Sequence, residues 1–268
     1  MKTLRLIGYY ILIKYKVMFQ YRASMVIASI SQILNYFVDI LILWILVSKF
    51  SNLGSWDARE VVALYSMQLL TYSIAGMFCF GCCNYLSDRI RSGEFDDSLT
   101  LPVPTLLHEI FSNYTTEYIR HFVLALVFFV LSLLELRIPF TWGKATIVLT
   151  NVLGGAAINA AFMIVLSAAN FFLIRGTSLL DLFYYEMLPF ARYPLTILPN
   201  FVQRVFTFLL PYGFLSYYPT VVILNKVEAT GMNLHLLRWV TPCLGFALLF
   251  LSVILWQKAS KKYQSTGT

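Results

Sequence analysis

Long apolar runs separated by short charged stretches set the pattern of this chain, and the runs at 25–47, 61–83, 119–136, 145–170 and 235–256 carry few charges. A helix needs about 20 such residues to cross a hydrocarbon core of about 30 Å, so each run predicts a membrane span. A further span is expected at 178–199, where Leu179, Leu180, Leu182, Phe183, Tyr184, Tyr185, Met187 and Leu188 are apolar but Asp181, Glu186 and Arg192 intrude. Ahead of the first run, Leu4, Ile7, Ile11, Tyr15 and Met18 recur at helical spacing opposite Lys2, Arg5, Lys16 and Gln20. That pattern predicts an amphipathic helix over 1–22 lying in the membrane interface. The fold class expected is an all-α integral membrane protein with six transmembrane helices, arranged as one membrane domain over 1–268.

Composition supports this reading: 59% of the residues are hydrophobic, above the roughly 45–50% of soluble domains, and the mean hydropathy is +0.72. The net charge of +7 comes from basic residues scattered at span ends, without a single basic stripe. It reports membrane orientation and gives no sign of a nucleic-acid partner. Lys2, Arg5, Lys14, Lys16 and Arg22 precede the first span, and Lys258, Lys261 and Lys262 follow the last. Both termini are therefore expected to be cytoplasmic, which requires an even number of spans. Lys49, Arg59, Arg137, Lys144, Arg204 and Lys226 then fall in outer loops, so the bias is partial.

No G-x-x-x-x-G-K-[ST] loop and no G-x-G-x-x-G turn occurs in the sequence. His108, His121 and His235 are widely separated, without a metal-ligand pattern, and no hydrolase motif appears. Cys79, Cys82 and Cys83 share a helix face, a spacing open to soft-metal ligation but better matched to small packing residues. Asp39 lies among Val38, Ile40, Leu41, Ile42 and Leu43, where a carboxylate costs about 2.5–3.5 kcal/mol on insertion scales. It is expected to face protein or water, as a substrate-pathway residue or as a structural one. Asn159 and Asn170 sit among glycines and alanines that favour close helix packing, with pathway lining as the lesser alternative. Pro189, Pro194, Pro199, Pro211 and Pro219 interrupt an aromatic stretch that includes Tyr212, Phe214, Tyr217 and Tyr218. Broken helices at membrane depth persist only when buried in protein or lining a cavity, so 199–226 predicts re-entrant helices between spans five and six. Pro194, Pro199, Pro211, Tyr217 and Pro219 are the candidates for an outer gate.

Between spans two and three, the loop at 87–104 contains Ile90-Arg91-Ser92-Gly93-Glu94-Phe95-Asp96, followed by Leu99 and Pro102-Val103. Its mixed charges, with Phe95 and Leu99 four apart, suit a short helix presented to another protein. This stretch resembles the "I-R-x-G-E-[LF]-D…L…P-V" loop of permease subunits of type 2 ATP-binding-cassette exporters, in the bacterial branch with paired six-span permeases. Arg192-Tyr193-Pro194, Leu198-Pro199, Phe208, Pro211 and Tyr217-Tyr218-Pro219 are similar to that family's outer re-entrant segment, and Lys262-Tyr263-Gln264-Ser265-Thr266-Gly267 to its C-terminal ending. Leu101 stands where members commonly carry arginine.

The resemblance implies a coupling helix in which Arg91, Gly93, Glu94, Phe95, Asp96 and Leu99 meet a separate ATPase, beside the N-terminal interface helix. It implies no cofactor in this chain, ATP and Mg on the partner ATPase, a second permease of the same or a different kind, contact with membrane lipid, and a bacterial plasma (inner) membrane location. The chain is then not an enzyme itself. An amphipathic or apolar small molecule, peptide or lipid is the expected cargo, since none of the uninterrupted spans besides the first holds a central charge. Two other classes fit the same residues: a six-span scaffold without transport, and an ion-coupled carrier using Asp39.

Overall fold

The computed structural model describes residues 2–49, 56–139, 141–173, 181–226 and 234–263, and those residues contain helices and no strand. An N-terminal helix α1 (Lys2–Gln20) turns at Tyr21 into α2 (Arg22–Lys49), followed by α3 (Ala58–Arg91), the short α4 (Phe95–Thr100) and α5 (Thr105–Ser112). Then come α6 (Tyr118–Glu135), α7 (Trp142–Ala169), a broken segment containing α8 (Asn200–Arg204) and α9 (Tyr217–Leu224), and α10 (Leu234–Ser260). Among the described residues, five helices are long and apolar enough to cross a membrane, or six if the bent pair at 200–224 is one span. They match the runs read from sequence as spans one to four and six, two of them ending one residue earlier.

Helices α3 and α7 form the centre, each with 72% of its apolar window buried, while α2 has only 11% buried and lies at the periphery. Small residues explain the tight α7–α10 packing: a Cβ on Gly154 would lie 2.6 Å from Pro242 Cα. Pro242, inside α10, has no N–H to give the Arg238 carbonyl four residues back. Asn151 of α7 supplies the missing donor, its Nδ2 reaching that carbonyl at 3.3 Å. Replacing Asn151 by leucine is expected to lower stability by about 1–3 kcal/mol through the orphaned carbonyl. The unfolding midpoint in micelles measures this, and Pro242→Ala in the same chain should restore part of the loss.

The expected fifth span differs from a regular α-helix wherever it is described. Asp181–Met187 is wound in wide π turns, Leu188–Arg192 and Leu195–Ile197 are 3-10 turns, and Tyr193 between them is extended. Prolines 189, 194 and 199 each remove a backbone donor, so no continuous ladder can form. The start of that span, up to residue 180, and the C-terminal motif from Gln264 onward lie outside the described residues.

Beyond it the chain re-enters the bundle. α8 continues into Val205–Leu209, and the path bends by 76° before Tyr212–Leu224. The Leu215 carbonyl accepts from Thr71 Oγ1 at 3.3 Å, about 20 Å along α3 from its start at 1.5 Å per residue. Lys226, after α9, reaches Glu60 in the first turn of α3 at 2.5 Å. α9 therefore climbs from the middle of the bundle to the end where α3 begins. Asp57 and Glu60 form a capping box there, and Trp56 stacks between Lys226 (4.6 Å) and Tyr217 (5.7 Å).

Candidate functional site: a clamped hairpin and a polar chamber

At the other end, the apolar run of α3 stops near Cys83 yet the helix continues to Arg91, because nothing in 84–91 breaks it. The break comes at Gly93, whose φ of 77° lies in the left-handed region that glycine occupies without a Cβ clash. That glycine reverses the chain into α4, and α5 completes a hairpin. Glu109 of α5 is fully buried and holds it closed. Its carboxylate accepts from Arg89 Nη1 at 2.6 Å, Ser98 Oγ at 2.6 Å and Asn113 Nδ2 at 3.2 Å. Arg89 also donates to the Glu94 carbonyl at 3.3 Å. One buried charge pair thus joins the end of α3, the middle of α4 and α5.

The sequence reading puts Phe95 with Leu99 on a surface for a partner; the structure separates them. Phe95 is wholly buried, with its ring 5.1 Å from Phe171 and 5.0 Å from Tyr263, while Phe171 packs 5.3 Å from Trp256. Phe95, at the first position of α4, is enclosed by the bundle, whereas Leu99, one turn further along, is 49% exposed. Phe95 is an anchor, which corrects its expected place among surface contacts. Arg91, Glu94, Asp97 and Leu99 are exposed and Asp96 partly so. Arg91 pairs with Asp88 at 2.5 Å, an exposed contact worth about 0–1 kcal/mol. A groove of about 510 Å³ runs beside them, between Tyr85, Asp88, Glu94 and Asn113.

Helix α1 meets this hairpin at Tyr10, whose Oη lies 3.4 Å from His108 Nδ1, and Ile7, Ile11, Tyr15 and Met18 of the apolar stripe are half-buried. Tyr9, Leu12, Ile13, Val17 and Phe19 remain exposed, so α1 carries a second apolar face. Burial and, behind it, the Arg89 guanidinium push the His108 pKa below its ordinary 6.5. The unfolded chain then binds the proton more readily, so this contribution to stability is present above about pH 6.5 and lost as pH falls below it. Acidification from pH 7.5 to 5 is expected to expose the α1–α2 junction to protease, and His108→Gln to flatten that dependence.

A second cluster lies within the spans. Asp39 of α2 accepts from Tyr65 Oη at 2.6 Å and pairs with Arg192 Nη1 at 3.3 Å. The Arg192 guanidinium also sits 5.6 Å from the Tyr65 ring centroid. Beside this pair is a chamber of about 290 Å³, bounded by α2, α3, α6 and Tyr184–Arg192, into which Gln32, Asn35, Gln68 and His121 also project. Tyr36 hydrogen-bonds His121, and Tyr72 hydrogen-bonds Tyr118 at 2.9 Å.

Of the sequence candidates for a pathway, only Asp39 borders this chamber. Asn159 is 1% exposed and donates to Thr71 Oγ1 at 3.3 Å. Asn170, 5% exposed, donates to the Leu166 carbonyl at 3.4 Å just past α7. Both are buried among the small residues around them, and neither lines the chamber. The cysteines at 79, 82 and 83 are buried, and no group of three or more His, Cys, Asp or Glu among the described residues is placed to hold a metal ion. In the re-entrant segment, Pro194, Pro211, Tyr217 and Pro219 are buried and Pro199 is exposed, each at a break or start of a helical piece. The sequence reading missed Arg89, Ser98, Glu109 and Asn113. One signal was available: a glutamate in Leu106-Leu107-His108-Glu109-Ile110, an apolar turn that needs a partner for its charge.

Comparison with known proteins supplies the frame for this arrangement. The family model described as ABC-2 family transporter protein matches residues 33–267, from within α2 almost to the C-terminus. No curated protein and no solved structure matches the chain. A match over most of the length, on a helical bundle with this hairpin, places the chain as a multi-pass membrane permease: it belongs to the ABC-2 family of transporter proteins.

Proposed function

We propose that this chain is the membrane half of a bacterial ATP-driven exporter, working with a separate ATPase and a second permease in the plasma membrane. The observation that carries the reading is the clamped hairpin. A permease without a phosphate loop needs a rigid surface through which nucleotide-driven motion reaches its spans, and allosteric work requires contacts that differ between two states. The hairpin meets that need: its outer side presents Glu94, Asp97 and Leu99, while its inner side is fixed to α3 by Arg89 and Glu109 and to α10 by the aromatic cluster. Helix α1 and the end of α10 lie at the same end of the bundle as the hairpin, which supports one side, the cytoplasm, for all three. ATP and Mg bind the partner, and the cargo is an amphipathic molecule, peptide or lipid. An ion-coupled carrier is disfavoured because Asp39 is already neutralised by Arg192.

Coexpression with an ABC ATPase tests this. The two should copurify, and Leu99→Asp, at a side chain 49% exposed, should weaken the complex about tenfold or more by placing a charge in an apolar contact. Its unfolding midpoint should not move. Equal ATPase capture and hydrolysis with Leu99→Asp would remove the hairpin from the docking surface.

A further inference from the structure

The geometry points to the chamber beside Asp39 as a binding site for an electrically neutral, hydrogen-bonding head group, a conclusion that rests on the transport reading and narrows its cargo. The two formal charges at the wall cancel one another: Asp39 and Arg192 pair at 3.3 Å, and Tyr65 occupies the same carboxylate oxygen. A cation entering here would have to compete with Arg192, and an anion with Asp39. A neutral group meets no such competition.

Hydrogen-bonding capacity is nevertheless left over. Gln68 is 3% exposed and lines the chamber, yet its Oε1 has no partner, and neither does Arg192 Nε. Unpaired polar atoms at membrane depth are costly because lipid cannot satisfy them. The first asks for a donor and the second for an acceptor, and a hydroxyl can act as either. Asn35 and Gln32 add amides that both donate and accept. Aromatic walls from Tyr36, Tyr72 and Tyr184 suit the C–H faces of a sugar-like ring. A volume of about 290 Å³ is at the lower limit of small-molecule pockets, about 300–1,000 Å³. It holds a head group and leaves any tail to the lipid, where the exposed apolar face of α2 (Ile33, Phe37, Leu41) begins.

The test compares three six-carbon probes with different heads: hexyl-β-glucoside, hexyltrimethylammonium and hexyl sulfate, titrated calorimetrically into the full chain in nanodiscs, with empty nanodiscs subtracted. Saturable binding of the glucoside alone is expected, one per chain. Gln68→Met, which keeps the packed volume, and Asn35→Ala, at an exposed position, should each weaken it about tenfold. Asp39→Asn should free Arg192 and give hexyl sulfate a measurable affinity. Binding of either charged probe to the parent chain as tight as the glucoside, no saturable glucoside binding, or glucoside binding indifferent to both variants would each overturn the assignment. None of these outcomes bears on ATPase capture, so the transport reading stands or falls separately.

Discussion

Glu109→Ala is expected to cost about 3–5 kcal/mol, the range for removing one member of a buried ion pair. The loss has a definite origin. Arg89 keeps its charge in a site where its side chain is 17% exposed, and Ser98 and Asn113 lose their acceptor. α4 is then tied to the bundle mainly by Phe95 and its ring neighbours and by the longer contacts from Arg89. Two measurements separate stability from transmission. The unfolding midpoint should drop for Glu109→Ala and recover in Glu109→Leu/Arg89→Met, because replacing both partners with apolar groups of similar shape removes the unpaired charge. ATP-driven transport should stay low in both, since the bridge that Glu109 makes from Arg89 of α3 to Ser98 of α4 is absent either way. Full transport in the double variant would show that the clamp stabilises the hairpin without conveying motion.

The second large effect reverses what hydropathy suggests. Removing a carboxylate from the first span ought to ease insertion, yet Asp39→Leu is expected to destabilise the assembled bundle by about 1.5–3 kcal/mol, the range for a hydrogen bond to a charged group. Arg192 loses its counter-charge and Tyr65 its acceptor. The consequence falls on α2, which otherwise attaches through few buried side chains, chiefly Tyr36 and Leu43. Asp39→Leu and Arg192→Gln should each lower the unfolding midpoint, and Asp39→Leu/Arg192→Gln should lose less than their sum. Strict additivity would mean that the two side chains do not stabilise one another.

The particulars divide along a physical line. Five of the spans were legible because a helix in lipid satisfies every backbone group within itself, so twenty apolar residues announce it locally. Gly93 was legible within its motif, and the reason for it, a positive φ where α3 turns into α4, became visible in the backbone. The fifth span was less legible, because prolines 189, 194 and 199 say that a helix breaks without saying what replaces it.

Side-chain direction was hidden. Phe95 and Leu99 look alike in a sequence, and only packing against Phe171 and Tyr263 turned one inward. By itself, the sequence determined that this polypeptide lives in a membrane, where its helices run, and which loop interrupts them. The tertiary structure alone decided who neutralises whom: Asp39 meets Arg192 across 153 positions, and Arg89 meets Glu109 across 20. Hydropathy is a property of each segment and can be summed along the chain, whereas charge compensation depends on distances between segments, which exist only after the helices have packed.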